Sequence, residues 1–154
     1  MDNMSNKARI VPVAQLFVGW VRETTGKNDG PWVEAIQRTT GNKKGDPWCA
    51  SFVNFILDIA YRDLNPLPAT ASCDLLLEHA RKNGLLTTTP QPGDVFLVMK
   101  GKSDAIHTGL ITDVLPDRIK TIEGNTNRDG AREGNGVWAR ERPRTGLLFI
   151  RVPE

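Results

Sequence analysis

The chain changes its hydrophobic rhythm once, at Pro92-Gly93-Asp94, and this switch constrains the fold more than any other feature of the sequence. Before it, apolar residues recur every three or four positions; after it come short runs rich in β-branched and aromatic residues. Helices first and strands later define an α+β domain with a largely antiparallel sheet.

In the helical half, Val13, Leu16, Phe17, Trp20 and Val21 fall at helical spacing and predict an amphipathic helix near residues 12 to 24 that packs on a core. Asn28-Asp29-Gly30-Pro31 reads as a turn whose proline opens a helix to about Thr39, with Trp32, Val33 and Ile36 as its buried side. Asp46-Pro47 supplies an N-cap and a first-turn proline for a third helix, whose apolar residues wrap most of its circumference, as in a helix buried mid-domain. Asn65-Pro66-Leu67-Pro68 ends it, and Ser72 caps a fourth helix that carries Leu75, Leu76 and Ala80 on one side and stops at Gly84. Strands are expected at Val95 to Met99, Ile106 to Val114, Arg118 to Glu123, Gly136 to Arg142 and Leu147 to Val152.

With 154 residues the chain is expected to form a single domain, residues 1–154, on which the segment 1–25 packs as the N-terminal helix. A hydrophobic share of 39% and a charged share of 25% are ordinary for a globular protein. The net charge of +2 is spread over both signs along the chain, which is no nucleic-acid footprint. Arg140, Arg142 and Arg144 alternate along one strand face; a solvated surface is the expected reading, a cradle for an anion the lesser one. Ile10 to Val21 follows Lys7 and Arg9, but Pro12 and Gln15 interrupt it and no small-residue cleavage site follows, so neither an export signal nor a transmembrane segment is expected.

Two cysteines make no disulfide framework, although one pair is open to them, and two Cys and two His without close ligand spacing predict no metal site. Cys49 nevertheless stands in the first turn of the most apolar helix, where the helix dipole favours the thiolate and backbone N–H groups can hold an oxyanion. By position alone, a small buried hydrophobe is the expected reading and a nucleophile the lesser one. A nucleophilic thiolate needs a base, and the chain offers His79 and His107. His79 sits on a helix of ordinary composition. His107 lies on a strand, sharing a face with Gly109 and Ile111, and can be aimed at the helix N-terminus. Glu123, on a strand that pairs with the His107 strand through a turn at Pro116-Asp117, is ranked first to orient the imidazole; Asn125 is ranked second, or binds substrate.

Four segments in order carry a family resemblance: Pro47-Trp48-Cys49-Ala50-Ser51-Phe52-Val53, Pro92-Gly93-Asp94-Val95, His107-Thr108-Gly109-Leu110-Ile111 and Glu123-Gly124-Asn125-Thr126-Asn127. They resemble the CHAP family of cysteine, histidine-dependent amidohydrolases and peptidases, related to NlpC-type peptidoglycan hydrolases, from about Asn28 to the C-terminus. The resemblance implies a papain-like fold, a Cys49–His107–Glu123 constellation with Asn125 as an additional polar position, and no cofactor. It also implies an amide bond of peptidoglycan as the target, cut as an N-acetylmuramoyl-L-alanine amidase or as a peptide endopeptidase, through a cysteine thioester.

Trp48 stands where many members carry Gln, and the clustered aspartates that some relatives use for calcium are missing. Trp48, Trp32 and Trp138 are candidates for aromatic groove walls, with core packing the expected role of Trp32 and Trp20. Such a protein would be made in a bacterial or phage-infected cytoplasm and act on the wall after delivery, joined by an immunity or delivery protein if it were a toxin. The competing readings are an amidase acting on a non-wall amide, and a non-catalytic wall-binding or virion structural protein.

Overall fold

Ser5 fixes where the first helix begins. Its backbone is extended and its hydroxyl accepts from the Ala8 N–H at 3.2 Å, so α1 runs Asn6–Gln15, with Pro12 inside it. The expected helix near 12 to 24 is thus displaced toward the N-terminus. Its second half is drawn away by the sheet: the Gly19 N–H donates to Val137 O at 2.9 Å, and Arg22 bridges to Gly136. The register of the apolar residues changes with it. Ile10 and Ala14 are buried, whereas Leu16 is 74% and Trp20 56% exposed.

The computed structural model describes residues 3–127 and 134–154. These form four helices and one six-stranded sheet. After α1 come α2 (Pro31–Arg38), α3 (Cys49–Tyr61) and α4 (Cys73–Lys82). Val33 and Ile36 are buried on α2 as expected, but Trp32 is not: it lies half exposed, its ring centroid 4.8 Å from that of Trp20. An eight-residue helix has room for only one buried stripe, and Gln37 fills the rest of it, donating to Asn28 O and Asp46 O. Leu75 of α4 likewise faces outward, with Leu76, Leu77 and Ala80 inward, beneath a Ser72 cap on Leu75 N. Neither Trp20 nor Trp32 is therefore a core residue.

The strands are β1 (Leu86–Thr87), β2 (Val95–Lys100), β3 (Asp104–Val114), β4 (Arg118–Thr126), β5 (Gly136–Pro143) and β6 (Leu147–Ile150). Their spatial order is β1-β6-β2-β3-β4-β5, and every pairing is antiparallel. The short β1 carries no periodic signal and exists because β6 pairs with it. Period-two alternation gives each strand two faces. One sends Val95, Leu97, Leu110, Ile122 and Ile150 into a core shared with all four helices; the other sets Phe96, Ile111, Ile119 and Phe149 in a separate cluster.

Two buried features hold the helical and sheet layers in register. Asp94, at the switch of rhythm, accepts from the Gln91 and Val152 N–H groups and pairs with Lys7 at 2.8 Å and Arg151 at 3.0 Å. One carboxylate thereby joins α1, the turn before β2 and the C-terminal segment. The second is Gly124 of β4: a Cβ there would lie 2.5 Å from Phe52 Cβ and 2.9 Å from Trp48 Cζ3, so only glycine lets α3 lie this close to β4. No helix among the described residues is long and apolar enough to cross a membrane.

Candidate active site

Cys49 is the first residue of α3. The N-cap is Trp48, with φ −131° and ψ 17° and no side-chain cap, rather than Asp46, whose carboxylate instead closes a turn by accepting from the Lys43 N–H at 3.0 Å. No acidic side chain occupies the first turn. The first N–H groups of α3 have no intrahelical acceptor, so the positive end of the helix is offered to the thiol and to any oxyanion formed beside it.

β3 brings His107 to this end. The hairpin places Leu110 opposite Ile122, which carries Glu123 to the level of Gly109, one pleat from His107 on the same face. A Cβ on Gly109 would sit 2.8 Å from Glu123 Cγ and 2.7 Å from Phe96 Cε1, so the missing side chain leaves room for the Glu123 stem and the Phe96 ring. His107 Nε2 and Glu123 Oε1 are 2.8 Å apart, both residues essentially without solvent contact. Glu123, ranked ahead of Asn125 from the sequence, is thus the group on the imidazole. Asn125 follows at φ +53°, buried, its Oδ1 without a hydrogen-bond partner among the described residues.

Glu123 is held by two residues that sequence reasoning missed. Arg142 donates from Nε to Oε2 at 2.7 Å and from Nη2 to Oε1 at 2.6 Å, and the Thr121 hydroxyl donates to Oε2 at 2.6 Å. Arg142 also lies over the Phe96 ring at 5.5 Å. It is thus neither a solvated surface charge nor a free anion cradle, and Arg144 stacks on Phe149. The alternation of arginines was visible in the sequence; the cross-strand pairing that aims one at Glu123 was not.

Charge in this cluster is strongly redistributed. Burial works to raise the Glu123 pKa, but Arg142 and His107 overcome it and bring it to about 2. Burial likewise works against a charged His107, and the contacts with Cys49 and Glu123 overcome that, raising its pKa to about 9. The Cys49 thiol is brought well below its usual range, first by its hydrogen bond to Cys73, then, against burial, by His107 and the Thr108 backbone. These directions favour a thiolate–imidazolium pair above a fixed carboxylate. The thiol and the ring interact without a formed hydrogen bond: with Nε2 taken by Glu123, Nδ1 is buried and has no partner at hydrogen-bonding geometry. Nδ1 is the nitrogen left for the thiol, and catalytic hydrogen bonds often tighten only when substrate arrives.

Cys73, the first residue of α4, for which the sequence left open only a pairing with Cys49, has its Sγ 3.8 Å from that of Cys49. Both border an open depression with Pro47, Ser72, Asp104 and Ile106. A more enclosed hollow at Asp117, Arg118, Glu141, Arg142 and Pro143 holds neither cysteine nor histidine, whereas the depression at Cys49 holds both cysteines. Trp48 does not line it. Its side chain is fully buried, with the indole N–H donating to Glu23 at 2.9 Å, because the helix it caps is pressed against β4. Trp32 and Trp138 are not among its lining residues either. His79 belongs to α4, where Asn83 contacts its ring and backbone, and it takes no part. Among the described residues no group of three or more His, Cys, Asp or Glu side chains is arranged to hold a metal ion.

No protein-family model matches the sequence, and no curated protein matches it. Among solved structures the chain is similar to the one described as "The crystal structure of Ly7917", with a TM-score of 0.53 and 12% identity over 94% of this chain and 62% of the other. The chain therefore spans less than two thirds of the length of that protein, and at this identity the similarity is one of fold.

Proposed function

We propose that the chain is a cysteine amidohydrolase with a papain-like, CHAP-type fold that hydrolyses an amide bond of peptidoglycan. The observation that carries the reading is Cys49 at the uncapped N-terminus of α3 beside a buried His107 that contacts Glu123 at 2.8 Å, with the carboxylate locked by Arg142 and the thiol and imidazole each shifting the other's pKa. A structural cysteine has no need of such an array, in which three residues far apart in sequence have shifted pKa values that suit thiolate attack. Peptidoglycan as substrate rests on the four motifs of the sequence resemblance.

In this reading the Cys49 thiolate attacks the amide carbonyl, and the first N–H groups of α3 receive the oxyanion. The His107 imidazolium gives its proton to the leaving amine. Water then attacks the thioester, with His107 as general base, and Cys49 is released. Glu123 keeps the imidazole in one orientation and stabilises its cationic form, while Arg142 and Thr121 keep Glu123 anionic and fixed.

Digestion of purified peptidoglycan tests the proposal, comparing the protein with Cys49→Ala and reading products by mass spectrometry and free-amine release. New termini produced only by the unsubstituted protein would identify the bond and separate amidase from endopeptidase. Walls of both major envelope types left intact by the unsubstituted protein would defeat the wall-hydrolase reading and turn the search to non-wall amides.

A further inference from the structure

Cys49 and Cys73 are the only cysteines of the chain, and the fold brings them from the first positions of two successive helices to a sulfur–sulfur distance of 3.8 Å. They are not joined to one another. The hydrolytic cycle uses Cys49 at every step and gives Cys73 none. Both residues, each almost wholly buried, border the same open depression, so a small solute that reaches one reaches the neighbourhood of the other. A disulfide requires about 2.05 Å between sulfurs, so closing the gap is a displacement of under about 2 Å between two helix ends.

We propose that Cys73 is a resolving thiol, with which a hydroperoxide converts the site into a reversible Cys49–Cys73 disulfide that silences the nucleophile and protects it from terminal oxidation. The chemistry balances in two steps. The Cys49 thiolate attacks one peroxide oxygen, breaking the O–O bond to give a sulfenic acid at Cys49 and hydroxide, which takes a proton to become water. The Cys73 sulfur then attacks the sulfenic sulfur, the S–O bond breaks, and the hydroxyl leaves as a second water with a proton from Cys73. Two thiols have given up two electrons and two hydrogens, and hydrogen peroxide has become two waters. A dithiol reductant reverses the change.

Without a second thiol in reach, a sulfenic acid is open to further oxidation, to a sulfinic acid that thiols do not reduce. The shared depression and the short sulfur–sulfur distance place disulfide closure in competition with that second attack. The loss of activity on oxidation rests on the proposed function, because it requires Cys49 to be the nucleophile; the formation of the bond does not.

The test treats the protein with hydrogen peroxide, alkylates the remaining thiols and maps peptides without reduction. A linked peptide joining Cys49 and Cys73 within one molecule is expected, with full recovery of both thiols after dithiothreitol. In Cys73→Ser and Cys73→Ala, Cys49 should accumulate as sulfinic and sulfonic acid that dithiothreitol does not restore. Irreversible oxidation of Cys49 in the unsubstituted protein, with no linked peptide, would overturn the proposal, as would a linkage found only between molecules. That reading needs no variant, so a substitution that fails to fold leaves the test intact. Wall digestion measured on the same samples keeps the two ideas apart: a reversible disulfide in a protein that never digests wall would sink the substrate, not the switch.

Discussion

At the scale of single residues, Glu123 and His107 translate their shifted pKa values into pH dependences of opposite sense. Glu123 falls from an ordinary value of 4.5 to about 2 in the fold, so the stability it contributes is complete above 4.5 and is lost as pH drops toward 2. The melting temperature of Glu123→Gln should therefore lie well below that of the unsubstituted protein at neutral pH, with the difference closing between those two values. His107 rises from 6.5 to about 9, so its contribution is complete below 6.5 and disappears as pH climbs through 9. In the proposed mechanism the same proton goes to the leaving amine. The proposed activity should follow a bell whose alkaline limb falls near pH 9. Iodoacetamide should alkylate Cys49 well below the pH at which an ordinary thiol reacts; a rate that rises only near pH 8.5, as for a free cysteine, would contradict the thiolate.

Arg142 belongs to the same scale but acts through Glu123. Arg142→Met keeps much of the apolar stem over Phe96 while removing both hydrogen bonds to a buried carboxylate. A loss of about 3 kcal/mol is expected in urea titration, the usual cost of stranding one partner of a buried pair. The alkaline limb of the pH profile should also shift downward, because an unanchored carboxylate supports the imidazolium less well. Unchanged stability and an unchanged limb would mean that Glu123 is held without Arg142.

Between elements, the decisive contacts are places where a side chain is missing or a charge is shared. Gly124→Ala inserts a methyl group into Phe52 and Trp48 at the foot of α3. Overpacking of this kind costs about 1–3 kcal/mol, and here the strain falls on the helix that carries Cys49. The thiol should therefore lose its fast alkylation even where the variant is still folded, which a helix indifferent to β4 would not show. Asp94→Asn leaves Lys7 buried with no carboxylate partner and weakens the hold on Arg151 and Val152. A cost of about 3–5 kcal/mol is expected. Hydrogen exchange should rise first in α1 and at the C-terminal segment, which share that carboxylate.

For the whole molecule, one core runs through the four helices and one face of the sheet, and Cys49, His107 and Glu123 stand where α3 meets β3 and β4. Helical and sheet layers should then unfold together, with far-ultraviolet circular dichroism and tryptophan fluorescence giving coincident denaturant curves. Separate transitions would show that the helices form a unit of their own.

What the sequence by itself determined is what periodicity and turn chemistry control locally: helices before strands, Cys49 in the first turn of the buried helix, the hairpin that sets Glu123 beside His107, and the outline of an α+β chain. Those properties depend on residues close in the chain or on a single tight turn. Partner choice across the fold was not legible, because a helical stripe or an alternating strand states which side is apolar and not what it meets. Sheet hydrogen bonds claimed Gly19 and Arg22 from a segment that reads as helix, and turned Trp20 outward. Pressure from β4 buried Trp48, which the sequence alone left free to line a groove. Arg142 looked like one of several surface arginines until strand pairing aimed it at Glu123, and Cys73 was an unassigned thiol until two helix ends converged. The tertiary structure decided these because each depends on a distance between segments far apart in the chain, fixed only when burial and hydrogen bonding are satisfied for the whole molecule at once.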